Sequence, residues 1–302
     1  MHRLPFDKPG RFYRGGLHAH CTRSDGRRTA GEAVAAYRAR GYDFLALTDH
    51  FLERYGYPVT DTRALRGADF TTLLGAELHA PRLENGESWH ILAVGLPLDF
   101  APPAPGETGP ALAARAAAAG AFVAIAHPAW YGLTLADALA VEAAHAVEVI
   151  NYGCALETQR GDSWQLLDQV LARGRRLTAC ATDDAHFVET IPPDWGGAWV
   201  EVRAEALEPA ALLAALKAGH FYSSEGPRLD DIRIEGDEIV IACSPVASVH
   251  VTGLGSRATF RWGDGITRCA LPLERFQGGY CRVTVVDAAG KRAWSNPIWL
   301  DE

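Results

Sequence analysis

The 302-residue sequence lacks several features that would assign a protein to a class at once. No apolar run is long enough to span a bilayer, and the N-terminus lacks the apolar core of a signal peptide, so we expect a cytoplasmic protein without membrane contact. None of the six cysteines forms a Cys-x-x-Cys pair, which argues against a zinc-ribbon site and favours reduced thiols. No glycine-rich phosphate loop is present, so nucleoside triphosphate chemistry is not indicated.

Lysine is also scarce, and acidic residues outnumber basic ones by 37 to 29. The chain has only three lysines and a formal net charge of −8. This balance argues against a broad nucleic-acid-binding surface, which is usually basic. It does not exclude a small anionic substrate, because bound divalent ions are often the largest local charges in a site.

The sequence does contain an alternation of strand-like and helix-like segments over its first two-thirds. Helical patterns at residues 30–40, 110–119, 135–144, 163–172 and 209–218 are separated by short apolar runs, and glycine closes most of the helices. Such repeats predict a parallel sheet and favour an α/β barrel. After Pro227 the pattern changes to short strands, which predicts a small β-sandwich. We therefore expect two domains, at residues 1–228 and 229–302.

The apolar runs end in residues that bind metals. Runs at 44–47, 72–76, 122–126 and 177–181 are each followed by His, Asp or Glu. Catalytic groups of α/β barrels collect where the strands end, at the C-terminal face of the barrel. The sequence therefore predicts one multinuclear metal site, typical of a hydrolase.

The spacing of these residues supports the same prediction. His18 and His20, like Asp184 and His186, are two residues apart, which on a strand places both side chains on one face. Glu77 ends a strand and offers two oxygens that can bridge two ions. A mixed set of histidines and carboxylates suits Zn²⁺, Mn²⁺ or Fe²⁺ better than Ca²⁺.

Taken in order, these motifs resemble those of the PHP (polymerase and histidinol phosphatase) family. The opening motif is LHAHCTRSDG at 17–26, and the later ones are TDH at 48–50, GAE at 75–77, HIL at 90–92, AHP at 126–128 and DAH at 184–186. The resemblance covers roughly residues 12–225. It implies a distorted (β/α)₇ barrel, a trinuclear metal centre and phosphoester hydrolysis.

Carried over residue by residue, the resemblance implies three sets of metal ligands. They are His18, His20, Glu77 and Asp184; Asp25, His50 and His186; and Glu77, His90 and His127. Asp183 stands where many relatives have serine, so either aspartate could be the ligand, and we favour Asp184. Asp25, His50, Glu77 and His186 are the residues expected to act in catalysis, where a metal-bound water acidified to near-neutral pKa would attack the phosphorus in line.

Substrate contacts are predicted at Arg23, His79 and Arg160. Arginine matches phosphate oxygens bidentately, and Arg23 is favoured over Arg27 and Arg28, which are interpreted as part of a solvated turn. His79 is two residues past Glu77 and would share its face if the strand continues.

The expected substrate is a small phosphomonoester or phosphodiester: a sugar phosphate, a nucleotide or a short oligonucleotide. Two alternatives stay open at this point. One is a catalytically silent metal-binding or interaction module. The other is a hydrolase of C–N bonds, which is disfavoured because no lysine stands at a barrel strand end where a carboxylated bridge would be needed. The sequence does not fix the oligomeric state.

Overall fold

The computed structural model describes residues 4–189 and 191–300, so residues 1–3 and 301–302 of the two predicted domain ranges lie outside the described residues. The strands are β1 (Arg11–Gly16), β2 (Phe44–Leu47), β3 (His50–Phe51), β4 (Thr71–Pro81), β5 (Ser88–Val94), β6 (Phe122–Ile125), β7 (Ala146–Asn151), β8 (Thr178–Thr182), β9 (Trp199–Ala204), β10 (Phe221–Ser224), β11 (Leu229–Glu235), β12 (Glu238–Gly253), β13 (Ala258–Pro272), β14 (Tyr280–Val286), β15 (Arg292–Ser295) and β16 (Ile298–Trp299). The helices are α1 (Ala30–Ala39), α2 (Gly109–Ala118), α3 (Pro128–Tyr131), α4 (Leu135–Ala140), α5 (Tyr152–Thr158), α6 (Trp164–Leu171) and α7 (Pro209–Ala218). None of the described helices is both long and apolar enough to cross a bilayer.

The strands form one continuous mixed sheet, in the order β11-β12-β14-β15-β10-β9-β1-β2-β4-β5-β6-β7-β8. The predicted parallel pairing is found between β1, β2 and β4 and between β6, β7 and β8. It is wrong for β9, which runs antiparallel to both neighbours; β5 and β10, which were not expected as strands, are antiparallel to their neighbours too. β5 follows β4 through a short turn at Asn85-Gly86, where Gly86 takes a positive φ of 93°. An antiparallel partner needs only such a turn, whereas a parallel one needs a crossover.

The segments that follow β1 and β8 lie side by side, although these two strands are far apart in the strand order. Just beyond β1 and β8, Ala19 and Ala185 form a parallel bridge, with the His20 amide donating to the Ala185 carbonyl at 2.8 Å. Within the strands themselves, the Ser223 hydroxyl of β10 donates to the Ala179 carbonyl of β8 at 2.9 Å and accepts from the Ala181 amide. The ends of β1 and β8 are therefore neighbours, which brings the first and last predicted ligand motifs together.

The helices begin and end largely where the sequence predicts. Thr29 caps α1 in a capping box with Glu32, and Gly219 ends α7 in the left-handed conformation that glycine tolerates best. The helix expected over residues 135–144 is shorter, because the chain leaves the helical region at Val141. The buried Val141 side chain packs in the core instead of extending the helix.

The C-terminal strands are longer than the sequence pattern suggests. Two short strands expected at 239–242 and 248–252 are one strand, β12, whose pairing with β13 shifts register between Ala242 and Ser248. β13 is not among the strands expected from the sequence, and its Phe260 and Trp262 side chains are 60% and 67% exposed. β15 pairs with β10, so the sheet continues without interruption from the first part of the chain into the last.

Glu201 gives this fold a specific pH dependence. Its carboxyl lies on β9, where burial raises its pKa to about 7, above the value of an exposed glutamate. The native state then holds a proton that the unfolded chain releases, so the free energy of unfolding should fall as pH rises from about 4.5 to about 7. We expect Glu201→Gln to flatten the dependence in that window, measured by urea denaturation. An unchanged slope would contradict the raised pKa.

Candidate metal centre

The predicted ligand side chains converge on one place. Six of them line a cavity of about 520 Å³: Asp25, His50, His90, His127, Asp184 and His186. The other three, His18, His20 and Glu77, are fully buried and contact residues of this cavity. Residues from six separate stretches of the chain therefore meet, as strand ends at one face of the sheet should.

Glu77 lies at the centre of the cluster. Its Oε1 atom is 2.7 Å from Nδ1 of His90 and 2.9 Å from Nε2 of His127. Its Oε2 atom is 2.5 Å from Nδ1 of His50 and 3.8 Å from Nε2 of both His18 and His20. With Nε2 of His79 at 3.6 Å from Oε2, one buried carboxylate thus faces six imidazoles and divides them between its two oxygens.

The two neighbouring aspartates point in different directions. Asp184, with a positive φ of 54°, places its Oδ1 atom 2.9 Å from Nε2 of His20 and 3.2 Å from Nε2 of His18. Asp183 instead accepts hydrogen bonds from the Tyr37 hydroxyl and from the backbone amides of residues 196–198. The geometry therefore favours Asp184 as a ligand. Asp183 instead anchors the loop before β9 through these hydrogen bonds.

Asp25 reaches the cluster from the loop after β1. Its carboxylate is 3.3 Å from Nε2 of His50 and 3.5 Å from Nε2 of His186. Asp49 holds this loop in place by accepting from the Ser24 hydroxyl and the Cys21 amide. Gly26 lies so close to the loop that an added Cβ would be 2.5 Å from the His20 carbonyl carbon, so a larger residue would push the turn away.

Divalent ions fit this arrangement. Nε2 of His18 and Oε2 of Glu77 are buried, make no hydrogen bond of good geometry within the described residues despite their short contacts with Asp184 and His50, and lie 3.8 Å apart. Metal bonds to nitrogen or oxygen are about 2.0–2.2 Å long, so two ligand atoms of one tetrahedral ion lie roughly 3.4 Å apart. Ligand atoms gather within 4.8 Å in several groups of three or four, including His20, Asp25, His50 and His186; His18, His20 and Glu77; His18, His127 and Asp184; and Glu77, His90 and His127. The second and third predicted ligand sets recur within single groups, and the first is divided between two.

The ionisation of the cluster is mixed: against the lowering effect of burial, neighbouring carboxylates raise the pKa of His18, His50 and His127, so these imidazoles must release a proton to bind a metal. Burial would raise the pKa of Glu77, but the imidazoles of His50, His90 and His79 hold it well below its usual range. Burial and the neighbouring His186 lower the pKa of His20 to about 4, so its imidazole is neutral at pH 7. Burial likewise lowers the pKa of His90 to about 4. Anionic carboxylates and neutral imidazoles are the forms that coordinate metals.

One solved structure matches this chain along nearly its whole length. It is a two-domain protein from Bacteroides vulgatus that contains a predicted PHP-like metal-dependent phosphoesterase, with 15% identity, a TM-score of 0.54 and coverage of 93% of this chain and 94% of the other. The fold is PHP-like. The family resemblance seen in the motifs is thereby confirmed at the level of the fold, and the match reaches into the C-terminal strands.

Two further structures are similar over a smaller part of the chain. One, from Bifidobacterium adolescentis, is described provisionally as a metal-dependent phosphoesterase, with 17% identity, a TM-score of 0.42 and coverage of 57% of this chain and 87% of the other. The other is an amidohydrolase from Chromobacterium violaceum with bound sulfate and no metal, with 17% identity, a TM-score of 0.41 and the same coverage. No family model and no curated protein matches the sequence.

Within the PHP-like fold, Glu148 is a site residue that the sequence analysis missed. This buried residue of β7 accepts from Nδ1 of His18 at 2.9 Å, from the His127 amide at 2.7 Å and from the Asn151 side chain at 2.9 Å. It thereby turns Nε2 of His18 towards Glu77 and Asp184. The available signal was a single glutamate within the apolar run Val147-Glu148-Val149-Ile150.

We expect Glu148→Gln to lower metal affinity by about 10–100-fold, because residues that orient a ligand histidine typically contribute that much. The amide can still donate or accept but no longer offers two anionic oxygens. Competition with a chelating dye measures the affinity. Glu142→Gln, an exposed substitution nearby, is the control, and equal affinities for both variants would contradict the role of Glu148.

Of the three residues predicted to contact substrate, one lines the cavity and two do not. His79 lines the cavity, with its Nε2 atom 2.9 Å from Nδ1 of His50. Arg23 and Arg160 are exposed and are not among the residues that line it, whereas Arg27 and Arg54 are. The contacts of Arg23 and Arg160 with substrate stay predictions. Trp130 adds an aromatic wall, with its ring centre 5.6 Å from that of His90.

Proposed function

We propose that this chain is a metal-dependent phosphoesterase that hydrolyses a small phosphomonoester or phosphodiester, such as a sugar phosphate, a nucleotide or a short oligonucleotide. The observation that carries the proposal is the grouping of ligand atoms around Glu77 beside an open cavity of about 520 Å³. A buried carboxylate shared by several histidine groups is the arrangement that a multinuclear centre requires.

Three divalent ions, Zn²⁺, Mn²⁺ or Fe²⁺, are proposed to bind the ligand sets. The first set is His18, His20, Glu77 and Asp184; the second is Asp25, His50 and His186; the third is Glu77, His90 and His127. Bound ions would supply Lewis-acid activation of water and would stabilise charge on the phosphoryl oxygens.

The protein's own residues would position the reactants. Asp25 is the most accessible carboxylate of the cluster, with a side chain 38% exposed, and can hold an attacking water by accepting its hydrogen bond. Arg54 brings positive charge to the cavity, where its guanidinium group can pair with phosphoryl oxygens. Burial raises the pKa of the Cys154 thiol in the cavity wall, so this thiol stays protonated and does not serve as a nucleophile.

The proposed architecture is a distorted (β/α)₇ barrel at residues 1–228 followed by a β-sandwich at 229–302. The contacts between the regions after β1 and β8, and between β8 and β10, support closure of the barrel. All six cysteines are buried and unpaired, which supports a reducing, cytoplasmic location.

Elemental analysis combined with a phosphate-release assay tests the function. The protein is loaded separately with Zn²⁺, Mn²⁺ and Fe²⁺ and assayed against phosphomonoesters and phosphodiesters. About three ions per chain together with phosphate release are expected. Full metal occupancy without hydrolysis would instead favour a silent binding module, and release of amine from an amide panel would favour a C–N hydrolase.

A further inference from the structure

The metal-site cavity opens into a second groove. This groove has a volume of about 610 Å³ and shares two of its residues, Arg27 and Val188, with the cavity. Phe187 and Trp195 form its aromatic side, and Arg28 lies beside Arg27. A ligand that fills the cavity can therefore extend past Arg27 without leaving the protein surface.

The groove is tied to the backbone of the metal site. Oδ2 of Asp194 accepts from the His186 amide at 2.9 Å and from the Val188 amide at 3.3 Å. The Arg27 amide donates to the His186 carbonyl at 2.8 Å. The arginine and the opposite wall are thus fixed relative to His186, so the distance from the metal site to the groove is largely set before a ligand binds.

The groove carries more positive than negative charge. The Arg28 guanidinium lies 4.5 Å from the centre of the Trp195 ring and 5.1 Å from that of Phe187, which holds it in place by cation–π contact. Arg27 is exposed and lines both the cavity and the groove. Against these two cations the groove has one carboxylate, the exposed Glu189.

We infer that the groove binds a second phosphate group of the substrate, held by Arg27 and Arg28, while the first phosphate lies at the metal site. Two arginines in the lining of one groove suit a dianionic phosphate, because each guanidinium group can donate two parallel hydrogen bonds. The inference rests on the proposed function for the position of the first phosphate. It selects, from the broad class of phosphoesters, organic molecules with two phosphates separated by a spacer.

Alkane-α,ω-bisphosphonates of increasing length are a suitable probe, because they do not hydrolyse and act as molecular rulers. Binding to the metal-loaded protein is measured by calorimetry and compared with alkane monophosphonates of the same length. We expect one spacer length to bind at least about 10-fold more tightly than its monophosphonate, about 1.4 kcal/mol of added binding free energy.

Arg27→Gln and Arg28→Gln are expected to remove most of this preference, whereas Arg27→Lys should retain part of it. Arg173→Gln, on an exposed turn after α6, removes the same charge elsewhere and should keep the preference. Thermal unfolding of each variant separates loss of binding from loss of fold. Equal binding of both phosphonate series, or a preference unchanged in both glutamine variants, would overturn the inference. Because the probes are not hydrolysed, either result stands whether or not the protein releases phosphate.

Discussion

Glu77→Ala is expected to lower phosphate release by at least about 10³-fold and to leave the protein with fewer bound ions. Glu77 is the only carboxylate within the described residues that stands close to five of the ligand histidines at once. Removing it takes one negative ligand from two of the three proposed ligand sets. The second set does not contain Glu77, so we expect a smaller loss of the ion that it binds.

Glu77→Gln distinguishes charge from shape at the same position. The amide fills nearly the same volume but provides one neutral oxygen, so we expect metal content to fall almost as far as in the alanine variant. Glu87→Ala, in the exposed turn between β4 and β5, is the matched control and should keep wild-type metal content and turnover. Near-normal turnover of Glu77→Ala would refute the bridging role and the shared-carboxylate arrangement with it.

The sequence was a good guide to which side chains converge, because their pattern is local. The spacing of His18 and His20 places both side chains on one face of an extended segment, and the structure finds both Nε2 atoms 3.8 Å from the same glutamate oxygen. A residue that follows a buried strand has few places to go except the sheet's end. His127 follows β6 and obeys this rule, whereas the expectation that Glu77 ends a strand is wrong, because β4 continues past it to Pro81. Glu77 meets His127 at 2.9 Å from a position within the strand.

The sequence was a poor guide wherever the answer depended on residues far apart in the chain. Glu148 supports His18 across 130 positions, and a single buried glutamate cannot reveal its partner in advance. The turn at Gly26 brings Arg27 to the lining of the cavity, and the sequence pattern alone did not indicate this. The antiparallel position of β5 was hidden in the same way, since pairing is set by a turn and not by the strand's composition.

The second large effect is expected from removing residues 229–302. We predict that the fragment 1–228 does not fold to a soluble, metal-binding protein, although the change in sequence pattern near Pro227 suggests a boundary there. The reason is that β15 covers the edge of β10, with Tyr222 opposite Ser295 and Ser224 opposite Ala293. An uncovered strand edge at this place would expose unpaired backbone groups and promote aggregation.

Asn296 is one residue through which the first part of the chain depends on the C-terminal strands. Its side-chain oxygen accepts from the Ala179 amide of β8 at 2.9 Å, and its amide group donates to the carbonyls of Gly219 and Phe221. A buried asparagine from the last strands thus joins β8 to the segment around β10. Without it, three buried backbone groups would lose their partners, and each loss costs about 1–3 kcal/mol.

Asn296→Ala tests this connection without truncation. The free energy of unfolding should fall by about 2–4 kcal/mol in chemical denaturation, whereas Gln277→Ala, at an exposed turn of the same region, should change it little. Asp168 of α6 and Arg282 of β14, whose side chains approach to 3.0 Å, provide a second contact between the two parts of the chain. If fragment 1–228 unfolds cooperatively and binds metal with the affinity of the full chain, the C-terminal strands are a separable addition. If it aggregates while Asn296→Ala is only weakened, the last strands complete the sheet on which the metal site is built.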